Sequence, residues 1–538
     1  MKLRIIFFFF VFTISSILVK AQAGYNEFPT LPYTPNKSVL FGKDIVINDQ
    51  PDQDQKKVAI CSAYNGQLFA AIYYTGSFST KATFLESDDN GMTWNNLIDD
   101  SIQYLVITKL SLTTTGNNLT NLRLLVGMIW TDTTNNQSVI WLTRYKVNPF
   151  LGNGGVFPDL WRSTDFSLAS DILSPASGSN PTSFGVLYSK VGVKDSIVFE
   201  SSSNGSTIDT HRVLAVTTNH FGKVALSYAK SSTYNTGRYF AVWEEKENVT
   251  STLGHIYTSH SEPNFNSPFT TPVCLDSLSP ATIGLCRNPA IACQQGNMDN
   301  DISGLSAVVL FEKYSQSANR FDIQGYYNKN SAQTNSFQPF SITNSLHNNL
   351  QPDITFNPFD STFILTYFDS TAQKLPSLTK NLNLVNPNSW NIVTGNYNDF
   401  LELSSPFPKL TINPSEHSGA NVWIAKKQSG DGVALFDSYS STYTGISQCN
   451  SNDFFNLRAY PNPCSNKVTI EFQSNQPQKV NIYLLNLLGQ KIKSWKNQTI
   501  IKGTNKITLD LINEPAGSYI YLIESGNKST SGKLFITR

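Results

Sequence analysis

Carboxylates that recur at the ends of apolar runs are the first candidates for chemistry in this 538-residue chain: Glu244 and Glu245, Glu312 and Asp369. Hydrolysis of a glycosidic bond uses two carboxylates at a set separation, one of them kept protonated to serve the leaving group. Recurrence from one unit to the next is also what a structural position produces. That reading is favoured, with these side chains holding turns or neighbouring sheets. The arginines of the central region, Arg123, Arg144, Arg162, Arg212, Arg238, Arg287 and Arg320, are scattered and form no motif that would clamp an anion. Neither a Ser-His-Asp order nor a phosphate-cradling glycine loop nor an HExxH helix is present.

Metal chemistry has two places to start. Asp299-Asn300-Asp301-Ile302-Ser303-Gly304 is an oxygen-rich loop, and Asp299 and Asp301 make it a calcium candidate. It lacks the later bidentate Glu of an EF-hand loop, and such clusters are ordinary hairpin turns. Of the six cysteines, Cys61, Cys274, Cys286, Cys293, Cys449 and Cys464, the pair most open to a disulfide is Cys274 with Cys286, which bracket a short turn-rich segment. Cys293 lies in an apolar strand pattern and is expected to pack as a small buried side chain. No CxxC occurs and no His falls at ligand spacing from a Cys, so neither a structural zinc nor any cofactor is expected. A net charge of +1 with 15% charged residues gives no basic field for nucleic acid. Tyr234, Tyr239, Trp390 and Tyr397 could stack on sugars or pack between sheets.

The elements that must position these residues come from a repeat. Val224–Leu226, Gly237, Glu245-Lys246 and Ile256 return as Ile291–Cys293, Gly304, Glu312-Lys313 and Ile323, each shifted by the same 67 positions. Pro352-Asp353-Ile354-Thr355-Phe356-Asn357-Pro358 returns as Pro408-Lys409-Leu410-Thr411-Ile412-Asn413-Pro414 after a shift of 56. Looser copies begin near Lys57, Leu105 and Asp171, and others near Lys223, Pro289, Gln351 and Phe407. Each unit is large enough for a four-stranded sheet, and helical periodicity is absent. The spacing predicts an all-β fold, a β-propeller of about seven blades over residues 25–446, followed by a small C-terminal β-sandwich.

Ser87-Asp88-Asp89-Asn90-Gly91-Met92-Thr93-Trp94 fits Ser-x-Asp-x-Gly-x-Thr-Trp, and Ser201-Ser202-Ser203-Asn204-Gly205-Ser206-Thr207-Ile208 is a worn copy. On these residues the region resembles the sialidase-like, Asp-box (BNR repeat) propellers. The resemblance implies a structural role: Asp89 and Ser87 hold the turn, Gly91 takes the unusual backbone angle, and Thr93 and Trp94 fasten the hairpin. A sialidase would also bring an early Arg-Ile-Pro, an arginine cluster, a Tyr–Glu nucleophile pair and an Asp acid. Arg-Ile-Pro is missing, so no catalytic residue is assigned and the reading leans away from an enzyme.

The two ends concern export. Lys2 and Arg4, an apolar run from Ile5 to Val19 and the small residues Ala21-Gln22-Ala23 have the order of a secretory signal peptide, taken as residues 1–23. That run is shorter than the roughly 20 residues that cross a bilayer, and no transmembrane segment is expected after its removal. Beyond a polar linker, 447–456, residues 457–538 carry Tyr460-Pro461-Asn462-Pro463, Asn486-Leu487-Leu488-Gly489-Gln490, Gly503-Thr504-Asn505, Pro515-Ala516-Gly517-Ser518-Tyr519-Ile520-Tyr521 and Lys533-Leu534-Phe535-Ile536-Thr537-Arg538. This ordered set resembles the C-terminal sorting domain of the type IX secretion system of Bacteroidota. It implies the type IX machinery as a partner and an extracellular or cell-surface location reached through the periplasm. The favoured function is non-catalytic binding of an unidentified glycan or protein ligand; the alternative is a diverged sialidase-like glycoside hydrolase.

Overall fold

A computed structural model describes residues 44–48, 54–63, 66–75, 80–102, 105–115, 122–132, 137–147, 151–153, 163–170, 184–203, 208–229, 237–261, 268–276, 284–294, 306–328, 337–342, 346–357, 362–381, 390–398, 406–413, 418–427, 429–440, 454–474, 476–486, 491–525 and 528–537. The signal segment, residues 447–453 of the expected linker, Asp299, Asp301, Arg162, Tyr234, Cys449 and Gly489 lie outside the described residues, while residues 454–456 of that linker belong to the strand Phe454–Tyr460. The chain divides into two units, 1–441 and 442–538. Among the described residues every regular element is a β-strand.

In the first unit, antiparallel sheets built from consecutive hairpins occupy 54–102, 105–153, 163–217, 220–274, 286–341 and 349–396, and a last one occupies 409–440. That last sheet takes its outermost strand, Ile45–Val46, from the other end of the unit. The fourth and fifth sheets run together through one pairing, Gly254 with Cys286. The first strands are Asp54–Ser62, Leu105–Thr115, Ser163–Ser170, His220–Ala229, Cys286–Cys293, Asn349–Asn357 and Lys409–Asn413. Each touches the next, and the last touches the first. The sheets therefore close on themselves as a β-propeller with the first strands innermost.

Burial explains the strand sequences. Second strands such as Leu68–Thr75, Arg238–Lys246 and Ala307–Ser315 are apolar on both faces because a neighbouring sheet covers each one. Fourth strands face outward, as Thr210–Thr217 does, and tolerate charge. An apolar cluster fills every junction. Phe69, Ala71 and Tyr73 pack with Leu110, Leu112 and Val126 between the first and second sheets. The closing junction packs Ile60, Ile72 and Trp94 against Ala420, Val422 and Phe436.

Two polar devices repeat around the ring. A hydroxyl on one first strand accepts a backbone N–H from the next: Ser111 from Leu168 at 3.3 Å, Ser167 from Leu226 at 3.1 Å and Ser227 from Cys293 at 3.1 Å. A bulge also breaks the register near the start of a first strand, between Gln55 and Lys57, Ile107 and Lys109, Ser163 and Phe166, Phe221 and Val224, Arg287 and Ala290, and Leu350 and Asp353. A bulge turns side chains out of the alternating pattern of the strand. These bulges set up the centre of the ring.

The second unit is a sandwich of two sheets. Phe454–Tyr460, Lys467–Ser474 and Gly503–Asp510 form one sheet; Lys491–Ile500, Gln478–Leu485, Gly517–Ser525 and Lys528–Ile536 form the other. Val468, Ile470, Phe472, Ile482, Leu484, Leu509, Tyr521, Ile523, Leu534 and Ile536 make its core. Among the sorting motifs, Asn462 joins the opening one to the closing one. Its Nδ2 donates to the Lys533 carbonyl at 3.0 Å, and its Oδ1 accepts from Phe535 N at 2.8 Å. Tyr519 Oη donates to the Pro515 carbonyl at 2.9 Å. Tyr460-Pro461 and Asn462-Pro463 are cis. Gly517 opens its strand at φ +158°, close to extended backbone.

Candidate functional site

The Ser87–Trp94 hairpin is closed by its own side chains. Asp89 Oδ1 accepts from Ser87 Oγ at 2.9 Å and from Thr93 N at 2.8 Å, while Oδ2 accepts from Thr93 Oγ1 at 2.6 Å. Gly91 N donates to Ser87 Oγ at 2.8 Å and Trp94 Nε1 to the Gly91 carbonyl at 3.0 Å. Gly91 sits at φ +86°, and a Cβ there would lie 2.1 Å from the Phe436 ring. Trp94 meets that same ring edge-on at 5.4 Å. Partial burial raises the Asp89 pKa, but the Thr93 and Ser87 hydrogen bonds outweigh it and the net shift is downward. Every oxygen of this exposed carboxylate is occupied by its own turn.

The carboxylates at strand ends are likewise occupied. Glu312, fully buried, receives Arg287 Nε at 2.6 Å, Gln351 N at 2.7 Å and the Asn288 amide. Glu245 accepts from Thr217 Oγ1 at 2.7 Å and Asn219 Nδ2 at 3.0 Å. Asp369 caps the Thr371 and Ala372 amides and pairs with His347 at 2.6 Å. Glu244 is buried beside Lys246 at 3.4 Å, and burial raises its pKa. Of the loop aromatics, Tyr239 packs against Phe199 and Tyr228, Tyr397 is fully buried, and Trp390 stacks on Phe340.

What converges at the ring centre is lysine. Among the described arginines only Arg287 lies on a first strand. By contrast Lys57, Lys109, Lys223 and Lys409 stand on the first strands of the first, second, fourth and last sheets, the first three of them at the bulges. Lys57 Nζ lies 4.2 Å and Lys223 Nζ 5.9 Å from the centroid of the half-buried Phe407 ring, whose backbone takes φ +45°. Since these residues come from different sheets, the ring of Phe407 is held between them near the axis.

Two carboxylates brace this cluster. Asp165 Oδ1 pairs with Lys109 at 2.8 Å and its Oδ2 accepts Val224 N of the next sheet at 2.8 Å. Asp353 repeats the device, with Lys409 at 3.2 Å and Leu410 N at 2.7 Å. Burial lowers the Lys57 pKa, and the Lys109 ammonium adds to the shift. Burial, then Lys109 and Lys409, push Lys223 down to about 8. The arrangement is a cluster of four lysines with both oxygens of Asp165 and Asp353 engaged, and Glu244 and Glu312 also lie close to Lys223.

The four lysines escaped notice in the sequence because each was read only as the edge of a repeating unit. Their shared position, just ahead of the apolar stretch of a first strand, was the available signal. The described cysteines Cys61, Cys274, Cys286, Cys293 and Cys464 carry thiols. The expected Cys274–Cys286 pair is thereby corrected: Cys274 pairs with Tyr257 and Cys286 with Gly254 along one strand edge. Three residues of extended chain put the two Cα atoms about 10 Å apart, beyond the roughly 7 Å that a disulfide spans.

Residues 458–537 match the secretion system C-terminal sorting domain. Such a tail marks export by the type IX system, so the protein is delivered to the cell surface or the extracellular space. No curated protein matches the chain. Among solved structures it is similar to an alpha-L-arabinanase of Penicillium chrysogenum complexed with arabinobiose, with 12% identity, TM-score 0.41 and coverage of 74% of this chain and 98% of that one. It is also similar to the polysaccharide lyase Uly1, with 9% identity, TM-score 0.43 and coverage of 76% and 94%. For the Dos1 propeller the values are 10%, 0.37, 73% and 93%. Among the described residues no helix is long and apolar enough to cross a membrane.

Proposed function

We propose that this exported propeller, a ring we count as seven blades, binds an acidic glycan or protein ligand at its central lysines without cleaving it. The observation that carries the reading is the placing of Lys57 and Lys223 over the ring of Phe407, with Lys109 and Lys409 close enough to act on both ammonium groups. Cleavage of a glycoside needs one carboxylate as acid and a second as base or nucleophile. Of the carboxylates beside the cluster, Asp165 and Asp353 are committed to lysines and backbone amides, Glu312 to Arg287 and Gln351 N, and Glu244 to Lys246 and Lys223 N. In the same reading Ser87, Asp89, Gly91, Thr93 and Trp94 are an Asp-box that locks a hairpin. Residues 1–23 are a signal peptide, 25–446 the propeller, 447–456 a linker and 457–538 the sorting domain.

Calorimetric titration of the full-length protein with acidic oligosaccharides, carboxylated or sulfated, beside neutral ones and an acidic peptide is the test. Affinity for the acidic probes should fall with added salt and as pH rises through about 8, where Lys223 loses its charge. Lys223→Gln and Lys57→Gln should each weaken binding about 5- to 10-fold, the loss of one close charge contact. Binding indifferent to charge, salt and both substitutions would refute the reading. Turnover of a glycoside by the wild type would favour the diverged sialidase-like hydrolase instead.

A further inference from the structure

On the outer part of the fourth sheet, far in sequence from the central lysines, the ladder brings together residues that no spacing rule connects. The His255 Nδ1, the Cys274 Sγ and a carboxylate oxygen of Asp276 all lie within 4.8 Å of one another. His255 belongs to the strand Gly254–His260, and Cys274 stands beside Tyr257 of that same strand. Asp276 is fixed by its backbone neighbours: Leu275 N donates to the Ile256 carbonyl at 2.8 Å, and Ile256 N donates to Asp276 Oδ1 at 2.7 Å. Nδ1 of His255 is 3.1 Å from Asp276 Oδ2, and Sγ of Cys274 is 3.5 Å from Oδ1. The buried thiol of Cys286, the residue that joins the fourth sheet to the fifth, lies near Asp276.

We propose that His255, Cys274 and Asp276 form a zinc site, with Cys286 the nearest donor for a fourth position, at the seam between the fourth and fifth sheets. Nitrogen, sulfur and oxygen donors together suit zinc or a similar borderline ion and disfavour calcium and magnesium, which take oxygens. Metal–ligand bonds of about 2.0–2.3 Å put tetrahedral ligands roughly 3.3–3.7 Å apart, so the three donors need to close by about 1 Å. The site is partly open, since the His255 side chain keeps 14% of its exposure and that of Asp276 4%. A shell of aromatic rings surrounds it: Tyr257, stacked on Trp243, contacts Cys274, and Tyr326, stacked on Phe311, lies near both thiols. Such a shell limits water and fixes ligand orientation. A divalent cation supplies the counter-charge that lets thiols ionise, releasing protons as it binds. A Cys274–Cys286 disulfide is ruled out by their separation along the strand edge. The ion would join two sheets that otherwise share one backbone pairing here.

The full-length protein, stripped with chelator and titrated with zinc, should take up metal with proton release and gain thermal stability. Cobalt in place of zinc should show sulfur-to-metal charge-transfer absorption, a readout on the unmutated protein. Cys274→Ser and His255→Ala should each weaken zinc binding by about 10- to 100-fold or more, while Cys293→Ser, a buried thiol elsewhere, should not. Absence of zinc uptake by the wild type, cobalt spectra without sulfur bands, zinc binding unchanged in Cys274→Ser, or a Cys274–Cys286 disulfide found by mass spectrometry would each overturn the site.

Discussion

Ring and tail are both antiparallel β-structures, yet they are held together by different chemistry. In the tail the two sheets meet through one apolar core, and among the described residues few polar side chains cross between them: Asn462 holds the backbone of Lys533 and Phe535 and Lys493 donates to the Asp510 carbonyl, while Glu471 gathers Arg458, Tyr460 and Lys506 within one sheet. In the ring every sheet junction has its own apolar cluster, and polar side chains also cross the junctions to hold backbone amides of the next sheet. Ser111, Asp165, Ser167, Ser227, Gln351 and Asp353 all do this. A sandwich relies mainly on shape and area between its layers. Sheets arranged around an axis must also agree on height and angle, and a directional hydrogen bond supplies that agreement.

The sharpest break between the two regions is removal of one. Deleting 457–538 should leave a folded ring that no longer leaves the cell, with near-complete loss from the surface and medium and accumulation in the periplasm. Fractionation with thermal unfolding checks both halves of the expectation, and normal appearance in the medium would show that the tail does not direct export. Next in size is the crossing bond. Asp353→Ala removes an acceptor for Leu410 N and the partner of Lys409, with an expected loss of about 2–3 kcal/mol in unfolding free energy. Glu471→Gln in the tail should move the melting temperature less; equal shifts would erase the contrast.

Smaller again is the effect within one turn. Asp89→Ala should cost about 1–2 kcal/mol, discounted because the carboxylate is exposed. Its folded pKa is depressed, so the stabilisation is present at neutral pH and is lost as pH falls below about 4 and through the folded value. Thermal unfolding across that range should therefore show wild type and mutant converging in acid. A glycosidase activity abolished by Asp89→Ala without any fall in melting temperature would give the hairpin a chemical role.

The tail was legible in the sequence because its apolar runs and turn residues fall in one compact order. The ring was legible through two echoes, of 67 and 56 positions, which recover the sheet-to-sheet correspondence at Ile256 with Ile323 and at Asp353 with Lys409, although the counterpart of Glu312 is Glu244 rather than Glu245, each lying across the ladder from that isoleucine. The lysine cluster was not. Lys57 and Lys409 become neighbours only when the ring closes, and nothing local in either stretch marks that event. Cys274 and Cys286 misled for a related reason: their nearness in sequence suggested a bridge, whereas the strand edge they share holds them apart. His255 and Asp276 meet because a short strand returns to its neighbour, so their distance along the chain carried no hint of ligand spacing.

Closure itself sets a clock. Ile45 pairs with Phe436 and Val46 with Leu435, and Asp54 accepts the amide of Gly432, 378 positions away. Individual sheets can form as soon as their own hairpins emerge, but the last one lacks its outer strand until the two ends of the unit meet. The entropic cost of so long a loop grows only with the logarithm of its length, so the delay exceeds the penalty. Until residue 440 is available the sheets can form at most an open arc with two exposed edges, because the closing pairings need strands from both ends of the unit.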